Sequence, residues 1–256
     1  SLRSDSPSAL VVVRLNDVAP DGSSERVTFG VLNLTHRDSH AAPAALIPGQ
    51  TFSVQVKFNA IAHRFEPGHV IRVAISNAYW PMIWPSPQVA TLELDTADCH
   101  LELPIRPLDP AGHKPPEFAK PEAAGTTSTE TALAPPHFLR TVERDLVTNA
   151  IINRQISKGG DLGSAEVARI EDIGLDIGHH VERHYRIDEG DPLSATSEMI
   201  ERLLMRREDW EILISVSTRM SATATHFIVA AKLLAEENGK EVFKRDWEEH
   251  IERDLL

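Results

Sequence analysis

The sequence predicts an all-β protein, a jelly-roll type β-sandwich followed by a second antiparallel β-rich region. Three observations predict it. Short runs rich in β-branched residues recur along residues 1–105, turn-forming pairs separate them, and apolar and polar residues alternate with a period of two. Several such strands at short spacing are the pattern of a sandwich or jelly roll.

Taken in order, the strand-like runs of the first part are "SALVVVRLND", "RVTFGVLNL", "TFSVQVKFNA", "HVIRVAISNA" and "VATLELD". Pro20-Asp21-Gly22, Pro48-Gly49 and Pro67-Gly68 supply the turns between them. Within the third run Val54, Val56 and Phe58 share one face and Gln55 and Lys57 the other, as in a sheet with one wet side. Residues 104–136 then hold eight of the chain's 17 prolines together with "AAGTTSTET". Such a stretch cannot pack a core and reads as a connection. The expected domains are therefore 1–105, a Pro-rich linker over 106–137, and a β-rich extension over 138–256.

In that extension "WEILISVSTRM" alternates Ile212, Ile214, Val216 and Met220 against Glu211, Ser215, Ser217 and Arg219. Asn238-Gly239 is the usual pair for a two-residue hairpin turn, which requires a strand on both sides. Phe243, Trp247 and Ile251 beyond it are accordingly read as one strand face. "SATSEMIERLLMRRED" contains good helix formers and suits a helix as well as a strand.

With 256 residues the chain can bury a substantial core, and 41% apolar with 25% charged residues is ordinary for a globular protein. A net charge of −12, with no basic tract to offset it, argues against a nucleic-acid partner. No apolar run approaches the roughly 18 residues of a membrane span. The chain opens at Ser1, almost directly in a strand-like run and without a signal-peptide pattern, which reads as a piece of a longer protein. The single cysteine, Cys99, excludes an internal disulfide. The compartment is left open, with the cytoplasm favoured.

One stretch concentrates a scarce resource. "YWPMIWPSP", residues 79–87, holds one of two tyrosines and two of four tryptophans within six positions, although aromatics are only 5% of the chain. Its three prolines forbid a helix interior or a central strand, so it is a loop. Tyr79, Trp80, Met82, Ile83 and Trp84 are the candidate interdomain or binding residues, because aromatics with a polar tip suit a surface that is meant to be covered.

Catalytic and metal signatures are weaker. His179, His180 and His184 in "HHVERH" invite comparison with H-E-x-x-H, but the glutamate stands at the wrong position. Val181, Tyr185 and Ile187 alternate with His180, Glu182, His184 and Arg186, so the segment reads as a strand. Positions four apart on a strand are about 13 Å from each other, too far for one metal with bonds of about 2 Å. No G-x-S-x-G is present; "LGSAE" at 162–166 lacks both the spacing and the preceding strand. Cys99 and His100 are adjacent in a strand-like run, where neighbours point to opposite faces, so they do not pair as nucleophile and base. Asp17, Asp21 and Ser23 in "DVAPDGSS" are better read as a tight turn than as a calcium loop, because the turn also accounts for the proline and glycine. No catalytic residue, no metal site and no cofactor is assigned.

Taken together, "RLNDVAPDGSSERVTFGVLNLTHRDSH", "PGQTFSVQVKFNAIAHRFEPGHVIRVAISNAYWPMIWPSP" and the following "ATLEL" resemble the C-terminal region of the X-Pro dipeptidyl-peptidase and cocaine esterase-like serine hydrolases. The D-V-x-P-D-G turn from Asp17 to Gly22, the strand from Gly30 to Arg37 and "AHRFEPGH" from Ala62 to His69 carry the resemblance over about the first 105 residues. The later "IEDIGLDIGHHVERHYRIDEGDPLSA" and "TATHFIVAAKLLAEENGKEVFKRDWEEHI" are similar, less specifically, to the tail of a subgroup. The resemblance implies a galactose-binding-like jelly roll that packs on an α/β-hydrolase domain and helps wall its active-site entrance. That catalytic domain, with its Ser-Asp-His triad, has no counterpart in this chain, so no triad residue carries over. The expected partner is the hydrolase domain of the parent chain. The alternatives are a carbohydrate-binding module, with Trp80 or Trp84 stacking on a sugar, or a homo-oligomerisation module using Phe243, Trp247 and Ile251.

Overall fold

In the computed structural model residues 1–105, 117–122, 129–159 and 165–256 are described. The strands are β1 (Leu2–Ser4), β2 (Leu10–Val18), β3 (Ser24–Asn33), β4 (Val70–Ser76), β5 (Leu92–Leu94), β6 (Glu130–Ala134), β7 (His137–Arg144), β8 (Ala150–Lys158), β9 (Val167–Ile170), β10 (Leu175–Asp188), β11 (Asp191–Arg207), β12 (Trp210–Ala222), β13 (His226–Glu237) and β14 (Lys240–Glu252). Three one-turn 3₁₀ segments accompany them, and all strand pairings are antiparallel. The all-β expectation is met. Among the described residues no helix is long and apolar enough to cross a membrane.

The first part is a small sandwich. β3-β2-β4 form one sheet and β1-β5 a second, and Leu2, Val11, Leu34, Leu46 and Ala90 are buried between them. Phe52, Val54 and Val56 pack on the same cluster. The run "TFSVQVKFNA" therefore alternates as its sequence predicts, with Phe52, Val54, Val56 and Phe58 turned in and Ser53, Gln55 and Lys57 out. It does not, however, form a ladder. It is joined to β1 by the Leu2–Phe52 bridge and to β3 by Asn59 N donating to Phe29 O.

The motifs that carry the family resemblance converge on one side chain. Asp17, buried at the end of β2, accepts from His63 Nε2 at 2.9 Å and from His69 Nδ1 at 2.8 Å. Residues far apart in sequence, Asp17 and "AHRFEPGH", are thus a single clamp that fixes the approach to β4. Chiefly through the His63 hydrogen bond, the Asp17 carboxyl is held below its usual pKa. The Ala19–Ser23 turn closes beside it, with Asp21 Oδ1 accepting from Ser23 N and Gly22 at φ 87°. This is the Asp-to-backbone turn that the sequence suggests.

The second part is one long twisted meander, ordered β14-β13-β12-β11-β10-β8-β7, with β9 pairing β10 and β6 pairing β9. β6 lies inside the stretch read from sequence as linker; residues 106–116 and 123–128 of that linker are outside the described residues. "SATSEMIERLLMRRED" is β11, a strand and not a helix. Pairing along both of its edges, with β10 and with β12, outweighs its helix propensity. Leu203 and Met205 then share a face with Ile214 and Ile212, whereas Leu204 faces the other way opposite Leu213. The turn Asn238-Gly239 has both φ angles positive and joins β13 to β14, as the pair predicts.

Buried at the β9–β10–β11 junction, Asp176 accepts from Arg169 (2.6 and 3.1 Å) and from Arg206 (3.3 and 3.0 Å). Its carboxyl is held below the ordinary value, first by Arg169, with burial opposing and Arg206 adding to the effect.

Two predictions come from this packing. A Cβ at Gly30 would lie 2.2 Å from Lys57 O, a backbone atom that cannot swing away. Gly30→Ala is expected to cost about 1–3 kcal/mol, read from the urea midpoint. The second concerns acid. Because folding lowers the pKa of Asp17 and Asp176, their stabilisation is complete above the unfolded carboxylate value, about 3.9. It is lost as pH falls through the lower folded values. The melting temperature should hold near neutrality and drop below about pH 4, and Asp176→Asn should lower the neutral plateau and flatten the acid decline.

Candidate interdomain surface

The loop after β4 begins at Asn77, and its prolines exclude it from the sheet. Ile83 N donates to Tyr79 O across a tight turn, and the Trp80–Pro81 peptide is cis. The turn sends its aromatic rings in two directions.

Tyr79 folds back on the outer face of β2 and β3. Its ring meets Phe29 edge-on at 5.7 Å, Arg14 lies 5.2 Å above it, and its hydroxyl accepts from Arg26 Nη1. Arg14 and Phe29 are register partners, on the face opposite the one that bears Val11 and Val13. The loop therefore caps the second face of the three-stranded sheet, where Val12 is completely buried.

Trp80 and Trp84 point away from that sheet. They contact each other edge-on at 5.2 Å, and Trp80 reaches Tyr185 of β10 at 6.2 Å while Trp84 reaches Phe227 of β13 at 6.1 Å. Tyr185, Ser197, Met220 and Val229 lie in register across β10–β13, so both indoles sit on the apolar face of the long sheet. Each edge-to-face ring pair contributes about 0.5–1.5 kcal/mol beyond the area it buries. The expected polar anchoring of the indoles is absent: among the described residues neither buried Nε1–H has a hydrogen-bond acceptor. Of the three polar tips only that of Tyr79 is satisfied.

A second set of contacts locks the same junction. Arg253, 3% exposed, donates from Nη2 to Pro85 O (2.8 Å), from Nη1 to Thr223 O (3.3 Å) and from Nε to Leu256 O (2.9 Å). Its guanidinium stacks 4.7 Å from the Phe227 ring, and burial lowers its pKa. The Leu255 carbonyl accepts from Asn33 Nδ2 (3.0 Å) and Thr35 Oγ1 (2.8 Å) at the end of β3. No sequence motif announced Arg253. A buried arginine bonded only through carbonyls to distant segments leaves no local pattern.

Met82 is exposed, while Tyr79, Trp80, Ile83 and Trp84 are half-buried. An open apolar row also flanks the loop on β4. Ile71, Val73 and Ile75, opposite Asp17, Leu15 and Val13, lie on the core side of their sheet, yet are 46%, 40% and 39% exposed.

The remaining candidates sit elsewhere. His180 and His184 flank Glu182 on the polar face of β10, with Nε2–Oε distances of 2.8 and 3.7 Å, and His179 pairs with Glu201 of β11 on the other face. Among the described residues no group of three His, Cys, Asp or Glu side chains is placed to share a metal. Cys99 is exposed, its thiol donating to Asp95 O. Leu162, Gly163 and Ser164 of "LGSAE" lie outside the described residues.

Residues 1–127, about half the chain, match the family model of the X-Pro dipeptidyl-peptidase C-terminal non-catalytic domain. No curated protein and no solved structure gives a match.

The junction yields one prediction. Arg253→Met should cost about 1–3 kcal/mol, chiefly by leaving the carbonyl of buried Pro85 unpaired, measured by denaturant unfolding. Short of unfolding, it should shift tryptophan emission to the red and raise quenching by iodide or acrylamide, since Trp84 loses its closed surroundings.

Proposed function

Because residues 1–127 belong to the family of X-Pro dipeptidyl-peptidase C-terminal non-catalytic domains, we propose that the chain is the accessory region of a serine hydrolase, packed on an α/β-hydrolase domain and shaping its active-site entrance. Chemistry resides in that partner domain. The surface proposed to meet it is the open row Ile71, Val73 and Ile75, together with the exposed Met82 of the aromatic loop.

The observation that carries this reading is the incompletely covered core-side face of β4. Apolar side chains on the inner face of a sandwich are ordinarily buried by the opposite layer, and here Ile71, Val73 and Ile75 keep about two fifths of their surface open. Three β-branched residues in a row at the edge of a sandwich fit a second domain that completes the core. The loop is then held rigid by Tyr79 on one side and by the two indoles on the other, so that Met82 is presented from a fixed scaffold. A jelly roll in this role contributes surface and shape, and the substrate is chosen by the partner.

The test is hydrolysis of a chromogenic ester and of an X-Pro amide by the chain alone, by its parent hydrolase region alone, and by the two mixed. The chain alone is expected to be silent, and mixing is expected to raise or alter the partner's activity. Ile71→Glu with Val73→Glu, checked for intact strand signal by circular dichroism, should abolish the effect of mixing. Turnover by the chain alone, or a mixing effect untouched by the double substitution, would overturn the reading.

A further inference from the structure

Among the described residues the long sheet ends at β14, which is hydrogen-bonded to β13 along one side only. Arg253 N donates to Thr225 O, which sets the phase of the ladder. From Phe243 to Ile251 the odd-numbered residues turn their backbone groups towards β13. The even-numbered Lys244, Asp246, Glu248 and His250 turn theirs outward. Free edges of this length are a template for another strand.

The side chains on the apolar face of this edge have an order of their own. Phe243, Trp247 and Ile251 are opposite Ala235, Ala231 and Phe227, and they are 50%, 37% and 53% exposed. Arg245 and Glu249 alternate with them, and the Arg245 guanidinium lies 4.8 Å from the centre of its neighbouring Trp247 ring. Along that face the order is Phe, Arg, Trp, Glu, Ile. Reversed and laid against itself about the central tryptophan, it sets Phe against Ile, Arg against Glu and Trp against Trp.

We propose that β14 pairs with β14 of a second copy of this chain, antiparallel about a two-fold axis at Trp247. The register follows from the backbone phase. Lys244 with His250, and Asp246 with Glu248, become the hydrogen-bonded pairs, which only outward-facing residues can form. Phe243–Ile251, Arg245–Glu249 and Trp247–Trp247 become the non-hydrogen-bonded pairs, whose side chains approach most closely. The strand's charge runs the same way: Lys240, Lys244 and Arg245 outnumber Glu241 and Asp246 before the axis, and Glu248, Glu249 and Glu252 lie after it. Antiparallel pairing sets the basic run against the acidic one. Asp246 opposite Glu248, repeated by the two-fold, is the unfavourable pairing, on the face opposite Trp247, where Lys244 is a diagonal neighbour of Glu248. The two-fold makes the contact isologous and closed at two copies. It is independent of the reading proposed for β4.

Sedimentation velocity on the 256-residue chain, over a dilution series, tests the pairing. The expected species has twice the 28.3 kDa chain mass. Arg245→Glu and Glu249→Arg should each weaken the dimer by about tenfold or more, because the two-fold repeats each like-charge clash. The doubly swapped chain, Arg245→Glu with Glu249→Arg, should recover it. Circular dichroism confirms that each variant is folded, and the recovery separates a lost contact from a lost fold. A monomer at every concentration overturns the proposal, as do larger open assemblies, which would mean pairing onto the other free edge at β7. A dimer indifferent to the single swaps, or one that the double swap fails to restore, overturns it too.

Discussion

The three-stranded sheet and the long sheet meet at the aromatic loop between β4 and β5. On one side Tyr79 is pinned by Arg14, Arg26 and Phe29, which closes the outer face of the three-stranded sheet. On the other, Trp80 and Trp84 rest edge-on against Tyr185 and Phe227 of the long sheet. A rigid wedge of rings is suited to this role, since indoles bring large area at little cost in rotamer entropy. Arg253 and Leu255 close the circuit by bonding the end of the chain to Pro85, Asn33 and Thr35.

The distribution of burial follows from the same constraint. The first part has cores on two faces of one small sheet, one made with β1-β5 and one with the loop. Among the described residues the long meander has no second layer of comparable length; most residues of β10 to β13 are half-buried, and β7 and β14 are largely exposed. Its order comes from ladder pairing, over strands of 12 to 17 residues from β10 to β14, and from the buried Asp176 carboxylate paired with Arg169 and Arg206. A sheet of this kind leaves surfaces at its margins. Those margins, β4 in the first part and β14 in the second, are where apolar side chains remain in the open.

The family motifs illustrate how sequence patterns become physics. Asp17-to-Gly22 and Ala62-to-His69 are separate strings in the sequence; in the fold they are one carboxylate bonded to two imidazoles beside a glycine turn. Gly30 is required because Lys57 O approaches it closely. Neither relation is chemical in the catalytic sense. Both set the path by which the chain reaches β4 and the loop.

What the sequence determined by itself is local. Runs of β-branched residues marked β2 and β3, period-two alternation marked β10 and β12, Asn238-Gly239 marked the last hairpin, and the prolines of residues 79–87 marked a loop whose rings seek cover. Each depends on backbone dihedrals and on neighbours within a few residues, which are written in order along the chain. The tertiary structure decided the rest. It made β11 a strand despite its helix formers, because two neighbouring strands paired with it. It left "TFSVQVKFNA" extended but nearly unladdered, since a strand needs a partner edge as well as a pattern. It placed the indoles on Tyr185 and Phe227, more than 100 residues away, and buried Arg253 against Pro85. Which surface covers which is a matter of long-range packing, and residue order alone carries no coordinate for it.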